Sequence, residues 1–198
     1  MSKKTNREAW LQAGAAELAR RVFRPAGIAL PVTNVSCSWP GGGSARKRIG
    51  ECWPRAYSRS GTNEIFVSPL IEDPIAALDI LAHELVHASD DCASGHGAEF
   101  VRRARLIGLE GRPTATHAGA TLRAELERIA GRLGAYPHAR LDLSARKKQT
   151  TRMIKISCDD ERCGGVFRAA RAHIEKARRN LSCPFCGGED VTIEGMEE

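Results

Sequence analysis

The chain has 198 residues, a net charge of +6, 42% hydrophobic residues and 27% charged residues. This composition is ordinary for a folded protein, and the length suits one compact domain with a small appendage. No apolar run approaches the roughly 18–20 residues that a membrane span requires, and the basic N-terminus lacks the apolar core of a secretory signal. We therefore expect a cytoplasmic protein with no membrane partner, in which thiols stay reduced.

Positive charge is concentrated near the N-terminus. Residues 1–60 hold 11 Lys and Arg against 3 Asp and Glu, residues 61–143 hold 8 against 12, and residues 144–198 hold 11 against 9. A basic first segment is compatible with a phosphate-bearing partner, and equally with an ordinary solvated surface. Aromatic residues make up only 5% of the chain, which leaves few platforms for stacking unpaired bases.

The first part of the chain predicts one helix followed by short strands. Apolar residues recur every three to four positions over 6–24, which predicts an amphipathic helix. Residues 28–35 are short and apolar and predict an edge strand or an extended segment. The segments 35–39 and 48–53 flank a Gly-rich basic loop and are expected to pair as a hairpin, and residues 64–68 alternate like a further strand.

The middle of the chain predicts helices. Residues 73–89 begin with Asp at the N-cap position and Pro at the first helical position, which predicts a helix. Residues 90–96 predict a loop, and residues 97–108 and 117–133 predict two further helices. The composition then changes to Pro and charge with little periodic apolar pattern. The predicted organisation is a domain at 1–134, a linker at 135–151 and a small domain at 152–198.

Residues 83–87 have the sequence HELVH, which matches the H-E-x-x-H pattern inside a predicted helix. His83 and His87 are four residues apart, so they lie on one face of the helix, about 40° apart, and can bind one zinc ion. Glu84 beside them is positioned to take a proton from a zinc-bound water, whose pKa zinc lowers to about 7. The alternative is a helix with two incidental surface histidines.

A catalytic zinc needs a third protein ligand and an open fourth position. His96 lies nine residues after His87, beyond a loop and before the next predicted helix, and is the favoured candidate. Glu99 on that helix is the main carboxylate alternative. The other histidines of the chain also remain open as ligands: His117, His138 and His173.

The motifs HELVHA and GHGAEF together resemble the SprT-like metallopeptidases, the family that includes the spartan DNA–protein crosslink proteases. The pattern of that family is H-E-x-x-H-A, a variable loop, and H-G-x-x-F. Residues 83–88 match the first half, and His96, Gly97 and Phe100 match the second. The preceding residues 63–74 are similar to the strand and helix start found there. The loop between the two motifs lacks the tryptophan that the family often carries.

The resemblance covers the layout of residues 6–133 and implies an α+β fold, with a zincin-like (minimal gluzincin-type) metallopeptidase domain. It implies proteolysis by a catalytic zinc, often linked to DNA, and is nearest to small bacterial and phage members, which places the protein in a bacterial cytosol or a phage-infected cell. The strand at residues 64–68 would form the rim of the substrate cleft, where an extended peptide adds by backbone hydrogen bonds. The implied ligands are His83, His87 and His96, with Glu84 as general base.

The last four of the seven cysteines form two close pairs. Four residues separate Cys158 from Cys163, two separate Cys183 from Cys186, and 19 lie between the pairs. Two such pairs on tight turns can hold one structural zinc in a tetrahedral Cys₄ site. A short segment with little core has few other ways to fold, so we expect a zinc ribbon there, with a loop-rich tail of reduced thiols as the alternative.

The remaining basic residues and cysteines are less informative. Basic side chains in the Gly-rich loop and between the cysteine pairs can contact phosphates, and a solvated surface is the alternative. Cys37 and Cys52 are expected to be buried strand thiols, and Cys92, in the loop before His96, is a further candidate ligand. The candidates for nucleic-acid binding are Arg46, Lys47, Arg48, Arg168, Arg171, Arg178 and Arg179.

Two functions follow from these observations. The first is a zinc-dependent endopeptidase with one catalytic and one structural Zn²⁺, which acts on a protein substrate and has DNA as a candidate partner. The second is a non-proteolytic adaptor that binds DNA or protein through the ribbon and the basic surface. The intact ligand pattern and Glu84 favour the enzyme, because an adaptor has no need of a general base.

Overall fold

A computed structural model describes residues 6–41, 48–144, 153–177 and 180–195. The chain divides into two compact units, Met1–Asp142 and Leu143–Glu198. The predicted α+β class is confirmed, because the described residues form five α-helices and three small sheets. No helix within these ranges is long and apolar enough to cross a membrane.

The N-terminal unit, Met1–Asp142, combines helices with a three-stranded sheet and a hairpin. Its helices are α1 (Arg7–Leu18), α2 (Pro74–Ala88), α3 (Ala98–Leu106) and α4 (Ala120–Leu133). Its strands are β1 (Thr33–Cys37), β2 (Gly50–Trp53), β3 (Asn63–Val67), β4 (Leu109–Arg112) and β5 (Ala115–Ala118). A π-helical turn at Ala19–Phe23 extends α1, and a 3₁₀ turn at Arg55–Tyr57 follows β2.

Helix α1 begins where its sequence predicts. The Asn6 side chain accepts a hydrogen bond from the Ala9 amide at 2.7 Å, which satisfies one of the free amides at the helix start. Gly14 faces α2, and a Cβ there would lie 2.9 Å from Leu78 Cδ2. The two helices therefore pack as closely as they do because this position has no side chain.

The three-stranded sheet has the order β1-β3-β2. β3 pairs in parallel with β1 and antiparallel with β2, so the predicted hairpin between residues 35–39 and 48–53 is wrong. β3 takes the centre because its Ile65 and Val67 side chains are fully buried. The expectation that the strand at residues 64–68 forms the rim of a cleft is also wrong, since β3 is paired on both sides and the outer edges of the sheet belong to β1 and β2.

Helix α2 is the centre of the N-terminal unit. It packs against α1 and α4 and against β2 and β3. It is therefore enclosed on most sides, and its polar face is narrow. Its buried residues are Ala77, Leu78, Ile80, Leu81, Ala82, Glu84, Leu85, Val86, His87 and Ala88.

The structure changes two predicted boundaries: the start of the helix predicted at residues 117–133 and the start of the predicted linker. Residues 115–118 form β5, paired antiparallel with β4, and α4 starts only after an extended Gly119. Tyr136, in the predicted linker, is buried with its ring 4.8 Å from that of Trp10. The Leu141 amide donates to the carbonyl oxygen of Pro69 at 3.0 Å. The first part of the predicted linker therefore packs against the N-terminal unit.

The C-terminal unit is small and built around one sheet. It contains β6 (Ile154–Cys158), β7 (Val166–Ala169), α5 (Arg171–Ala177) and β8 (Val191–Ile193). The sheet order is β7-β6-β8, with both pairs antiparallel. Among its described residues only Ile156, Cys158, Ile174 and Cys183 are buried, which is a small core for an independent fold.

Candidate metal centres

The three histidines of the two sequence motifs meet at one point. His83 and His87 lie one turn apart on α2, and His96 lies in the loop before α3. The Nε2 atom of His96 is 3.2 Å from His87 Nε2 and 3.4 Å from His83 Nε2. Tetrahedral zinc with bonds of 2.0–2.1 Å separates its ligand nitrogens by about 3.3 Å. The spacing and the donor set therefore fit a zinc ion, and all three ligand atoms lie within 4.8 Å of one another.

Two neighbouring residues orient these rings. The Thr116 hydroxyl on β5 lies 2.7 Å from His83 Nδ1 and is placed to accept its proton, which leaves the Nε2 lone pair for a cation. The Phe100 ring on α3 packs against all three imidazoles. The distance between ring centroids is 4.4 Å to His87, 4.9 Å to His83 and 5.0 Å to His96. Thr116 was missed from the sequence, although the Gly and Pro residues at 111–113 are typical of a hairpin turn.

The three imidazoles are held in their neutral form. Burial, followed by the neighbouring His87 and His96 rings, lowers the pKa of His83 to about 3. Burial and then His96 lower the pKa of His87 to about 4, and burial lowers the pKa of His96 as well. Neutral imidazoles are the form that binds a metal, so the site is ready for a cation at neutral pH.

Glu84 follows His83 on α2, and its side chain packs against Gly50 of strand β2. Its side chain is buried, at 6% exposure, and a Cβ at Gly50 would lie 2.5 Å from Glu84 Oε1. Burial raises the pKa of Glu84 to about 8, with smaller increases from Cys92 and Glu51. A carboxyl that titrates near neutral pH can both take and release a proton during a reaction. Gly50 was not singled out by the sequence, because its role depends on a contact between distant segments.

The histidines and Glu84 line a cavity of about 590 Å³. Residues 48–52, which include most of β2, form one wall, and residues 114–116 of the β4–β5 hairpin form the other. Cys92 and Gly95, from the loop between the second and third histidines, also line the cavity. The cluster therefore faces an open cleft in which a substrate can reach it.

The alternative ligands lie elsewhere. Glu99 accepts hydrogen bonds from Arg102 and Arg103, each with a shortest distance of 2.7 Å. The Nε2 atom of His138 lies 3.0 Å from the Pro69 carbonyl oxygen. None of these alternatives joins the three-histidine cluster, nor do His117, His173 or Cys92.

The four C-terminal cysteines also converge. Cys158 Sγ is 3.6 Å from Cys186 Sγ, Cys163 Sγ is 3.7 Å from Cys183 Sγ, and all four sulfurs lie within 4.8 Å of one another. Tetrahedral zinc with Zn–S bonds of 2.3 Å separates its sulfurs by about 3.8 Å. The cluster can therefore hold a metal ion with four protein ligands.

The basic candidates are only partly described. Arg48 donates to Glu51 at 2.6 Å and lines the histidine cleft, so it belongs to the wall of that cleft. Arg168 and Arg171 are exposed on the C-terminal unit, and Arg171 lies 3.9 Å from Glu175. The rest of the candidate set lies outside the described residues: Arg46, Lys47, Arg178 and Arg179.

No known protein family, curated protein or solved structure matches the chain. The geometry of the two clusters is therefore the basis for inferring function.

Proposed function

We propose that this chain is a zinc-dependent endopeptidase, with a zincin-like N-terminal domain and a Cys₄ zinc ribbon. The observation that carries the proposal is the convergence of three histidine nitrogens beside a buried glutamate in an open cleft. Three neutral imidazoles leave one tetrahedral position without a ligand from the described residues, which is typical of catalytic rather than structural zinc sites. The ligands are His83, His87 and His96.

The chemistry divides between the ion and Glu84. When bound, zinc supplies Lewis acidity toward water and toward the scissile carbonyl. Glu84 takes the proton of the attacking water and returns it to the departing amine. Its raised pKa of about 8 suits both transfers near neutral pH. Gly50 leaves the space that the carboxyl needs for these transfers.

The free edge of β2 supports a peptide substrate. The Ser68 amide donates to the Ile49 carbonyl at 2.9 Å, so the hydrogen-bonded pairs between β2 and β3 involve residues 49, 51 and 53. The amide and carbonyl groups of Gly50 and Cys52 consequently point away from β3. The Cys52 carbonyl already faces the Cys92 thiol, whose Sγ lies 3.6 Å away, so an extended polypeptide can add as a further strand through the Gly50 groups and the Cys52 amide.

The non-proteolytic adaptor remains the alternative. An adaptor needs neither a buried glutamate beside the histidines nor a glycine that makes room for it. Those two features favour the peptidase. DNA binding stays a prediction, supported among the described residues by the exposed Arg168 and Arg171 on the C-terminal unit.

The experiment that tests this function is the substitution Glu84→Gln in the zinc-loaded protein. We expect full zinc content and a loss of peptide hydrolysis of about 10²–10⁴-fold on a denatured protein substrate. Glu99→Gln is the matched control. Because the Glu99 side chain is bound to two arginines away from the cluster, this substitution should leave zinc content and hydrolysis unchanged. Undiminished hydrolysis by the Glu84 variant would refute the mechanism. Salt-sensitive DNA binding by a wild-type chain that cleaves nothing, with or without DNA, would support the adaptor.

A further inference from the structure

Two cysteines that the metal clusters do not use face each other in the histidine cleft. Cys52 lies on β2, and Cys92 lies in the loop between His87 and His96. Their sulfurs are 3.3 Å apart, although 40 residues separate them in the chain. Both side chains are partly exposed and line the cavity, so a small oxidant can reach them.

The loop holds Cys92 against its partner. Asp91 and Cys92 adopt the left-handed backbone conformation, with φ of 57° and 62°, which is costly for residues other than glycine. Asp91 Oδ1 accepts from the Arg55 amide at 2.8 Å and from Asn63 Nδ2 at 2.9 Å, which ties the loop to the ends of β2 and β3. The Cys92 amide also donates to the His87 carbonyl at 2.8 Å. The position of the thiol is therefore fixed by contacts on both sides.

We propose that Cys52 and Cys92 form a thiol modification site, at which hydrogen peroxide converts the pair to a reversible disulfide that links β2 to the loop between two metal ligands. One sulfur attacks the peroxide, the O–O bond breaks, and a sulfenic acid and one water form. The second thiol then attacks the sulfenic sulfur, the S–O bond breaks, and the disulfide and a second water form. The two sulfurs together lose two electrons and two protons to the peroxide.

The disulfide bears on the metal site because Cys92 lies four residues before His96 in the same loop. A disulfide bond is about 2.05 Å long, so the sulfurs must approach by more than 1 Å. β2 cannot shift far toward α2, since Gly50 already lies against Glu84. Closing the gap between the sulfurs therefore strains the loop that carries Cys92 and, through it, His96, the most exposed of the three ligands. Oxidation should weaken zinc binding at the histidines, and its effect on catalysis rests on the proposed function.

The disulfide is tested by peptide mapping of the zinc-loaded full chain. Hydrogen peroxide treatment, alkylation and trypsin digestion should give peptides 49–55 and 60–102 joined to each other, and a reductant should separate them. Cys52→Ser and Cys92→Ser should each abolish the joined product, whereas Cys37→Ser should not, because Cys37 is buried in β1. Recovery of the two peptides separately, with both cysteines alkylated, would overturn the proposal.

A second measurement tests the link to the metal site. In competition with a chelating dye, the oxidised wild type should bind zinc at the histidines at least about tenfold more weakly than the reduced protein, and Cys52→Ser should show no such change. Unchanged zinc affinity in a chain that carries the disulfide would overturn the link. A chain that forms the disulfide and loses zinc, yet never hydrolyses a peptide bond, would uphold the modification site and refute the proposed function.

Discussion

The histidine cluster and the cysteine cluster differ in how many metal positions the protein fills. Three nitrogens converge beside a cavity of about 590 Å³, and the protein supplies no fourth ligand among the described residues. Four sulfurs converge in the C-terminal unit and complete a tetrahedron. The number of protein ligands therefore separates a centre that can accept a substrate from one that can only hold the fold together.

The two clusters also differ in what supports them. The helix that carries His83 and His87 is packed on most sides: its own Leu81 and Leu85 side chains are fully buried, and so is Phe100 of α3. Apart from two of the cysteines, the described part of the C-terminal unit buries only Ile156 and Ile174. Loss of metal should consequently disable the first unit without unfolding it, and should unfold the second.

The largest expected effect follows from breaking the cysteine cluster. Cys183→Ser removes a buried ligand, and the unit loses zinc-binding free energy of about 10 kcal/mol, which is folding free energy in domains of this kind. We expect zinc content to fall from two ions to one per chain, and residues 143–198 to become sensitive to protease. Cys37→Ala is the control and should keep both ions. A protease-resistant C-terminal unit in the Cys183 variant would contradict this account.

The next effect concerns pH in the chelator-treated protein. The native state holds the Glu84 proton up to about pH 8, whereas the unfolded carboxyl has a pKa of 4.5. The native state thus binds more protons in this range, so its unfolding free energy falls as pH rises from 4.5 to 8. Glu84→Gln removes this dependence, and its stability relative to wild type should increase by about 3–5 kcal/mol across the range. The histidines contribute equally to both proteins.

Urea unfolding followed by tryptophan fluorescence provides this measurement. All three tryptophans lie in the N-terminal unit, so the signal is independent of the C-terminal unit. Parallel stability curves for the two proteins between pH 4.5 and 8 would show that the native state does not raise the pKa of Glu84. The tryptophans are Trp10, Trp39 and Trp53.

A smaller effect is expected at Gly50. Gly50→Ala places a Cβ 2.5 Å from Glu84 Oε1 and 2.6 Å from Ile80 Cγ2, so the strand or the carboxyl must move. We expect a loss of about 1–3 kcal/mol in the unfolding free energy, together with reduced hydrolysis. Gly131→Ala on α4 is the control, because no atom lies within 4 Å of its Cβ position. Equal stability of the two variants would show that Gly50 is not needed for close packing.

The smallest expected effect concerns ring orientation. Thr116→Val removes the hydroxyl that binds His83 Nδ1 at 2.7 Å, and should weaken zinc binding at the histidines by about 10–100-fold. Thr114→Val is the control. Thr114 lies on the same cleft wall without that hydrogen bond, so its substitution should leave the zinc affinity unchanged. A matched loss of affinity in both variants would attribute the effect to the wall rather than to ring orientation.

Local signals in the sequence were enough to predict the helix that carries His83 and His87. Asp73 accepts a hydrogen bond from the Ala76 amide at 2.7 Å and Pro74 begins α2, as the capping pattern indicates. The spacing of the histidines then follows from helix geometry. Periodicity and capping were sufficient because all of these contacts lie within a few residues of one another.

Contacts between distant segments could not be predicted in the same way. The order β1-β3-β2 depends on which strand is most deeply buried, and a short apolar segment carries no register of its own. Gly50 and Thr116 act on α2 from separate strands, so no local pattern identifies them. The pairing of Cys52 with Cys92 depends on the left-handed turn at Asp91 in the same way.

The most direct test of the central claim is the zinc K-edge absorption spectrum of the purified full chain. The account predicts two zinc ions per chain, one with four sulfurs at about 2.3 Å and one with three nitrogens and one oxygen at about 2.0 Å. A single zinc ion bound only by sulfur, or a second ion whose four ligands all come from the protein, would contradict it.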